Sequence, residues 1–118
     1  MAKKILLADD DLAILDATKM LLELEGYEVQ TTAEGVTVKE MIEQLPDLLL
    51  LDIWMSGQDG KKICKKLKAN KSTKHIPIVM ISASRDVEDS ARAAGADAFM
   101  TKPFEMNDLL ARVKEYAL

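Results

Sequence analysis

The chain has 118 residues, 48% of them hydrophobic and 31% charged, with a net charge of −4. This is the composition of one globular domain with an aliphatic core, not of a disordered chain, and the mild acidity argues against nonspecific nucleic-acid binding. Cys64 is the only cysteine, which excludes an internal disulfide and a cysteine metal cluster, and the apolar run from Ile5 to Ala8 is too short for a signal peptide or a membrane span. A single domain over residues 1–118 is expected, soluble and cytoplasmic.

Ile5-Leu6-Leu7-Ala8 reads as a short buried strand that ends in Asp9-Asp10-Asp11. Asp11 is placed to cap a helix from about Leu12 to Glu25, with Ile14, Ala17, Leu21 and Leu24 on one stripe, widened by Leu15 and Leu22, and Gly26 as the stop. Tyr27, Val29 and Thr31 alternate with polar residues and suggest a strand nearer the sheet edge. A second helix is expected over roughly Glu34 to Gln44, with Val38, Ile42 and Leu45 on its apolar face and Pro46 ending it. Leu48 to Leu51 is unbroken apolar sequence, as in a strand buried on both faces, and it ends in Asp52 before a turn with Gly57 and Gly60.

A third helix, about Lys61 to Ala69, buries Ile63, Cys64 and Leu67. Lys61, Lys62, Lys65, Lys66, Lys68, Lys71 and Lys74 crowd this region; a solvated face explains them simply, and a docking patch for an acidic partner is the sharper reading. His75, the only histidine, has no Cys or second His with which to bind metal. Pro77 to Ile81 is another continuous apolar strand, followed by Ser82-Ala83-Ser84. A short, weakly apolar helix from Val87 to Ala94 stops at Gly95 and is a candidate for movement, because it has little to bury. Ala98-Phe99-Met100 is a last strand leading to Thr101-Lys102-Pro103-Phe104, and a final helix carries Met106, Leu109, Leu110, Val113 and Tyr116 at helical spacing.

Strand and helix alternate five times with short connections, which implies an α/β fold: a five-stranded parallel sheet with helices on both faces. In such a sheet the carboxyl ends of the strands share one edge, where ligands bind. That edge would collect Asp9, Asp10, Asp52, Ser82 and Lys102. Two carboxylates about 4 Å apart repel by roughly 4 kcal/mol at an effective dielectric near 20, so three of them need protons or a cation. Oxygen ligands favour a hard ion such as Mg²⁺, and a lysine and a hydroxyl beside it equip the site to hold a phosphoryl group, with a carboxylate as nucleophile.

At this point the chain resembles the receiver domains of two-component response regulators, a family that includes the stand-alone chemotaxis regulators. The resemblance spans the chain and rests on Asp9-Asp10-Asp11, Leu51-Asp52-Ile53 with Asp59-Gly60, Ile81-Ser82-Ala83 and Lys102-Pro103-Phe104. It implies a flavodoxin-like (βα)5 fold with strand order 2-1-3-4-5. It implies that Asp52 accepts a phosphoryl group from a histidine kinase, a phosphotransfer protein or a small acyl phosphate. Asp9, Asp10, Asp52 and the backbone carbonyl of Trp54 would hold Mg²⁺. Ser82 and Lys102 would bind the phosphoryl oxygens, Ser82 and Phe99 would form the switch, and the Lys102–Pro103 peptide would be cis.

The family further implies an output face made of the fourth helix, fifth strand and fifth helix, open to an effector or a second copy, with no direct binding to nucleic acid or membrane. Such a domain is a phosphoacceptor that catalyses only its own phosphorylation and dephosphorylation, not an enzyme on other substrates. Three positions depart from the common pattern: Ser56 replaces a frequent proline, Ser82 a frequent threonine, and Phe99 a frequent tyrosine. An aspartate-nucleophile phosphohydrolase of the dehalogenase type is the enzymatic alternative. It lacks support, because Trp54 stands where such enzymes carry a second acid. A receiver-like module that never takes phosphate is the other alternative, and its usual sign, a missing acceptor or lysine, is absent.

Overall fold

The computed structural model of the chain describes residues 2–34, 38, 40–55 and 57–117. Five strands, β1 (Lys4–Ala8), β2 (Glu28–Thr32), β3 (Leu48–Asp52), β6 (Ile78–Ser82) and β7 (Ala98–Thr101), form one sheet in the order β2-β1-β3-β6-β7, with every pairing parallel. This is the expected 2-1-3-4-5 order once a small extra hairpin is set aside. That hairpin, β4 (Trp54–Met55) against β5 (Gln58–Asp59), is antiparallel and lies just beyond Asp52.

Alternate residues of each strand point to opposite faces, and the apolar runs fill both. Leu6, Leu49, Leu51, Met80 and Phe99 pack with Val38, Ile42, Ile63 and Ala91. Ile5, Leu7, Leu50, Val79 and Met100 pack with Leu15, Leu22, Leu109 and Val113. The first and last helices therefore cover one face, and the helices between them cover the other. The residues of β3 and β6 are all buried, which explains why these two strands read as unbroken apolar runs.

The first helix runs Leu12–Leu24, with the Asp11 carboxylate accepting from the backbone N–H groups of Ala13 and Ile14, as expected of the cap. Its buried stripe differs from the expected one. Leu15 and Leu22, expected only to widen it, face the core together with Thr18, whereas Ala17 is exposed and Leu24 is 81% exposed. A polar residue within the true stripe favoured the neighbouring row, one residue or 100° round the helix.

The expected second helix lies partly outside the described residues, at 35–37 and 39. Val38, Glu40 and Met41 are helical, and Ile42–Gln44 form a 3₁₀ turn. Leu45 ends the segment in the left-handed conformation (φ 52°) and is 49% exposed, so it does not join the apolar face. The next helix, Gly60–Ala69, is capped by Asp59. The weak helix after Ser84 is six residues, Glu88–Ala93, behind a 3₁₀ turn at Arg85–Val87, and Ala91 is its only buried residue. The last helix is Met106–Tyr116, with Leu109 and Val113 buried. No helix among the described residues is long and apolar enough to cross a membrane.

Candidate functional site

Strand register brings the site together. Ala8 pairs with Leu51, so Asp9, one step on, lies beside Asp52. Asp52 pairs with Ile81, and Ser82 pairs with Thr101, which sets Ser82 one step and Lys102 two steps further along the same edge. Backbone hydrogen bonds fix the corner: the N–H of Ile53 donates to the Ile81 carbonyl (2.8 Å), and that of Lys102 to the Ser82 carbonyl (2.8 Å).

Carboxylate oxygens of Asp9, Asp10 and Asp52 lie within 4.8 Å of one another. Asp9 is 1% exposed; one of its oxygens accepts from the Asp11 N–H at 2.9 Å, and the other is 2.8 Å from the Lys102 ammonium. The same ammonium is 3.6 Å from Asp52. Asp10 is exposed at the mouth. Burial pushes the Asp52 carboxyl up to about 6, and the Asp9 charge adds to the rise; Lys102 pulls the other way, and Asp10 raises it further. Burial alone would lower the Lys102 pKa. The hydrogen bond to Asp9 and the charges of Asp52, Asp9 and Asp11 outweigh it and hold the ammonium above its ordinary range.

Ser82 is buried at the end of β6, and its hydroxyl accepts from the Ser84 N–H at 3.1 Å. The Lys102–Pro103 peptide is cis. Phe99 is already inside, 8% exposed within the core cluster, so an aromatic switch here starts from the inward position. Trp54 is 61% exposed, and its backbone pairs with Asp59 across the hairpin. Ser56 lies outside the described residues.

Two features went unread in the sequence. Gly60 is needed for close approach: a Cβ there would stand 2.6 Å from the Asp52 carbonyl oxygen and 2.9 Å from that of Ile53. The Asp59-Gly60 pair was visible, but its proximity to the Asp52 backbone comes only with the hairpin. The other is Arg85, whose guanidinium donates to the Thr101 hydroxyl at 2.8 Å and ties the loop after Ser82 to the residue before Lys102. Nothing in sequence spacing links those two positions; the β6–β7 pairing does.

A parallel sheet of this order, with acids, a hydroxyl and a lysine on its carboxyl edge, defines an α/β module of the doubly wound class. The model of the response regulator receiver domain matches residues 5–114, and the chain belongs to that family. It is 38% identical over 114 residues to the DNA-binding dual master transcriptional regulator RpaA of Synechocystis, covering 94% of this chain and 47% of RpaA. It is 40% identical over 117 residues to the response regulator PleD of Caulobacter vibrioides, covering 97% of this chain and 26% of PleD. The chain thus spans half or less of these two curated relatives. A CheY-like receiver domain protein from Methanospirillum hungatei superposes with a TM-score of 0.89 at 37% identity, covering 99% of this chain and 94% of that one.

Proposed function

We propose that Asp52 is the phosphoacceptor of a two-component phosphorelay. The observation that carries this reading is the single Lys102 ammonium held between Asp9 and Asp52, at 2.8 and 3.6 Å, beside a third carboxylate. Three carboxylates against one lysine leave excess negative charge facing the mouth, and their oxygen-only chemistry suits Mg²⁺. Asp9, Asp10, Asp52 and the Trp54 carbonyl would hold the ion, which when bound neutralises the acids and the incoming phosphoryl oxygens.

An Asp52 carboxylate oxygen attacks phosphorus in line, a new P–O bond forms, and the bond to the donor breaks. The donor is a phosphohistidine of a kinase or phosphotransfer protein, or a small acyl phosphate whose carboxylate departs. Lys102 then pairs with a phosphoryl oxygen, and the Ser82 hydroxyl, which accepts from the Ser84 N–H, donates its proton to another. Movement of Ser82 pulls on the loop through Ser84 and Arg85, and the lightly anchored Glu88–Ala93 helix follows. Phe99, already inside, packs behind that movement. The changed face, made of that helix, β7 and the last helix, meets an effector or a second copy. The domain catalyses only its own phosphorylation and dephosphorylation.

Trp54, the only tryptophan, reports on this site. Its fluorescence is expected to change saturably with Mg²⁺, and to change again when acetyl phosphate is added. An Asp52→Asn variant should lack the second change. A second change that persists in Asp52→Asn would contradict the assignment.

A further inference from the structure

Phosphoryl chemistry uses none of the lysines between Lys61 and Lys74. Seven of the 16 basic residues lie between Gly60 and Ile76, and none of the 20 acidic ones does. Because the Gly60–Ala69 helix buries Ile63, Cys64 and Leu67, its solvent side is formed by Lys62, Lys65 and Lys66, spaced three and four residues apart so that their charges repel along the helix. Lys71 and Lys74 extend the exposed ridge. Among the described residues, Lys68 alone of the seven lysines is in an ion pair, 2.8 Å from Asp97.

Beside this ridge runs a groove between the Ile42–Gln44 turn and the carboxyl end of the lysine helix. Ile42, Leu45 and Leu67 supply its apolar surface, and Lys66 and Glu43 are among its polar lining. Leu45 is presented to solvent there by a left-handed backbone, a conformation uncommon for leucine. We propose that ridge and groove together dock an acidic, amphipathic segment of a partner protein, its apolar side chains against Leu45 and its carboxylates on Lys62, Lys65 and Lys66.

The chemistry of the patch selects this occupant. No Phe, Tyr or Trp lies between Gly60 and Ile76 for bases to stack on, His75 being the one ring there, and no arginine for bidentate phosphate contacts. The apolar element is a groove, not a protruding wedge, which suits a peptide and not insertion into a bilayer. The groove is at the end of the helix away from Gly60. A helix of that length spans about 15 Å, so the groove, unlike the Lys62 end of the ridge, lies away from the phosphoacceptor edge.

The test is fluorescence anisotropy with a labelled peptide repeating Leu-Glu-Glu, against wild type, Leu45→Asn and the triple variant Lys62→Glu, Lys65→Glu, Lys66→Glu. Asparagine tolerates the left-handed backbone, so Leu45→Asn removes the apolar contact while preserving the turn. Saturable binding by wild type is expected, weaker by at least about tenfold in the triple variant and about threefold in Leu45→Asn, at unchanged far-UV circular dichroism. Should the triple reversal fail to fold, Lys62→Gln with Lys66→Gln replaces it, with a loss of about threefold expected. Absence of binding by wild type, equal binding by the folded variants, or preference for a short duplex DNA or phosphatidylserine vesicles over the peptide would each overturn the proposal.

Discussion

At Asp52 the acidity of one carboxyl group is set by its burial and by three charged neighbours. Burial pushes the Asp52 carboxyl up to about 6, from 3.8 for a free side chain. Between those values the folded state binds more protons than the unfolded one, so stability falls as pH rises through the window. In metal-free buffer, Asp52→Asn is therefore expected to be more stable than wild type at neutral pH, by roughly 2–3 kcal/mol. The gap should close below about pH 4, and urea denaturation across this range measures it; a gap independent of pH would argue against ionisation of Asp52 as the cause. Were Asp52 to carry an acyl phosphate, Trp54, two places on and 61% exposed, would shield it from water. Trp54→Ala is expected to lose phosphate several-fold faster, and an unchanged half-life would remove that role. At this scale the sequence was informative wherever a charged or hydroxyl residue ended an apolar run, as with Asp9, Asp52 and Ser82. It did not reveal that Phe99 rests inside or that Leu45 faces out, because those outcomes depend on packing and on one backbone torsion.

Helices and strands were legible in proportion to their apolar content. β3 and β6 announced themselves as unbroken runs, whereas the first helix was rotated by one residue because Thr18 sits in its buried stripe. The Thr18 hydroxyl has no hydrogen-bond partner among the described residues. An unpaired buried hydroxyl is a cost that an apolar group of similar shape avoids. Thr18→Val is expected to raise stability by about 1 kcal/mol, read as a higher urea midpoint; a lower midpoint would mean that the hydroxyl finds a partner in solution. The Trp54–Asp59 hairpin escaped sequence reading because two-residue strands carry no periodicity. Yet it is the hairpin that brings Gly60 against the Asp52 backbone, and the glycine records how tightly that loop closes.

Over the whole molecule, parallel register is what turns five separate sequence positions into a site. The strand order was implied by family resemblance, and physical reasoning alone reached only a parallel sheet with helices on both faces. Lys68 contributes a cross-brace: its ammonium reaches Asp97 and the Ile76 carbonyl, both at 2.8 Å, while Asp97 also accepts from the Ile78 N–H. This ties the lysine helix to the amino ends of β6 and β7, the opposite end of the sheet from Ser82, and the sequence offered no hint that one lysine of seven was structural. The contacts among Asp9, Asp52 and Lys102 bear on whether Asp52 takes the phosphoryl group. Intact mass after incubation with acetyl phosphate and Mg²⁺ tests it most directly. One added phosphoryl group is expected on wild type, and none on Asp52→Asn or when Mg²⁺ is withheld. Equal uptake by Asp52→Asn, or no uptake by wild type with Mg²⁺ bound, would contradict the account.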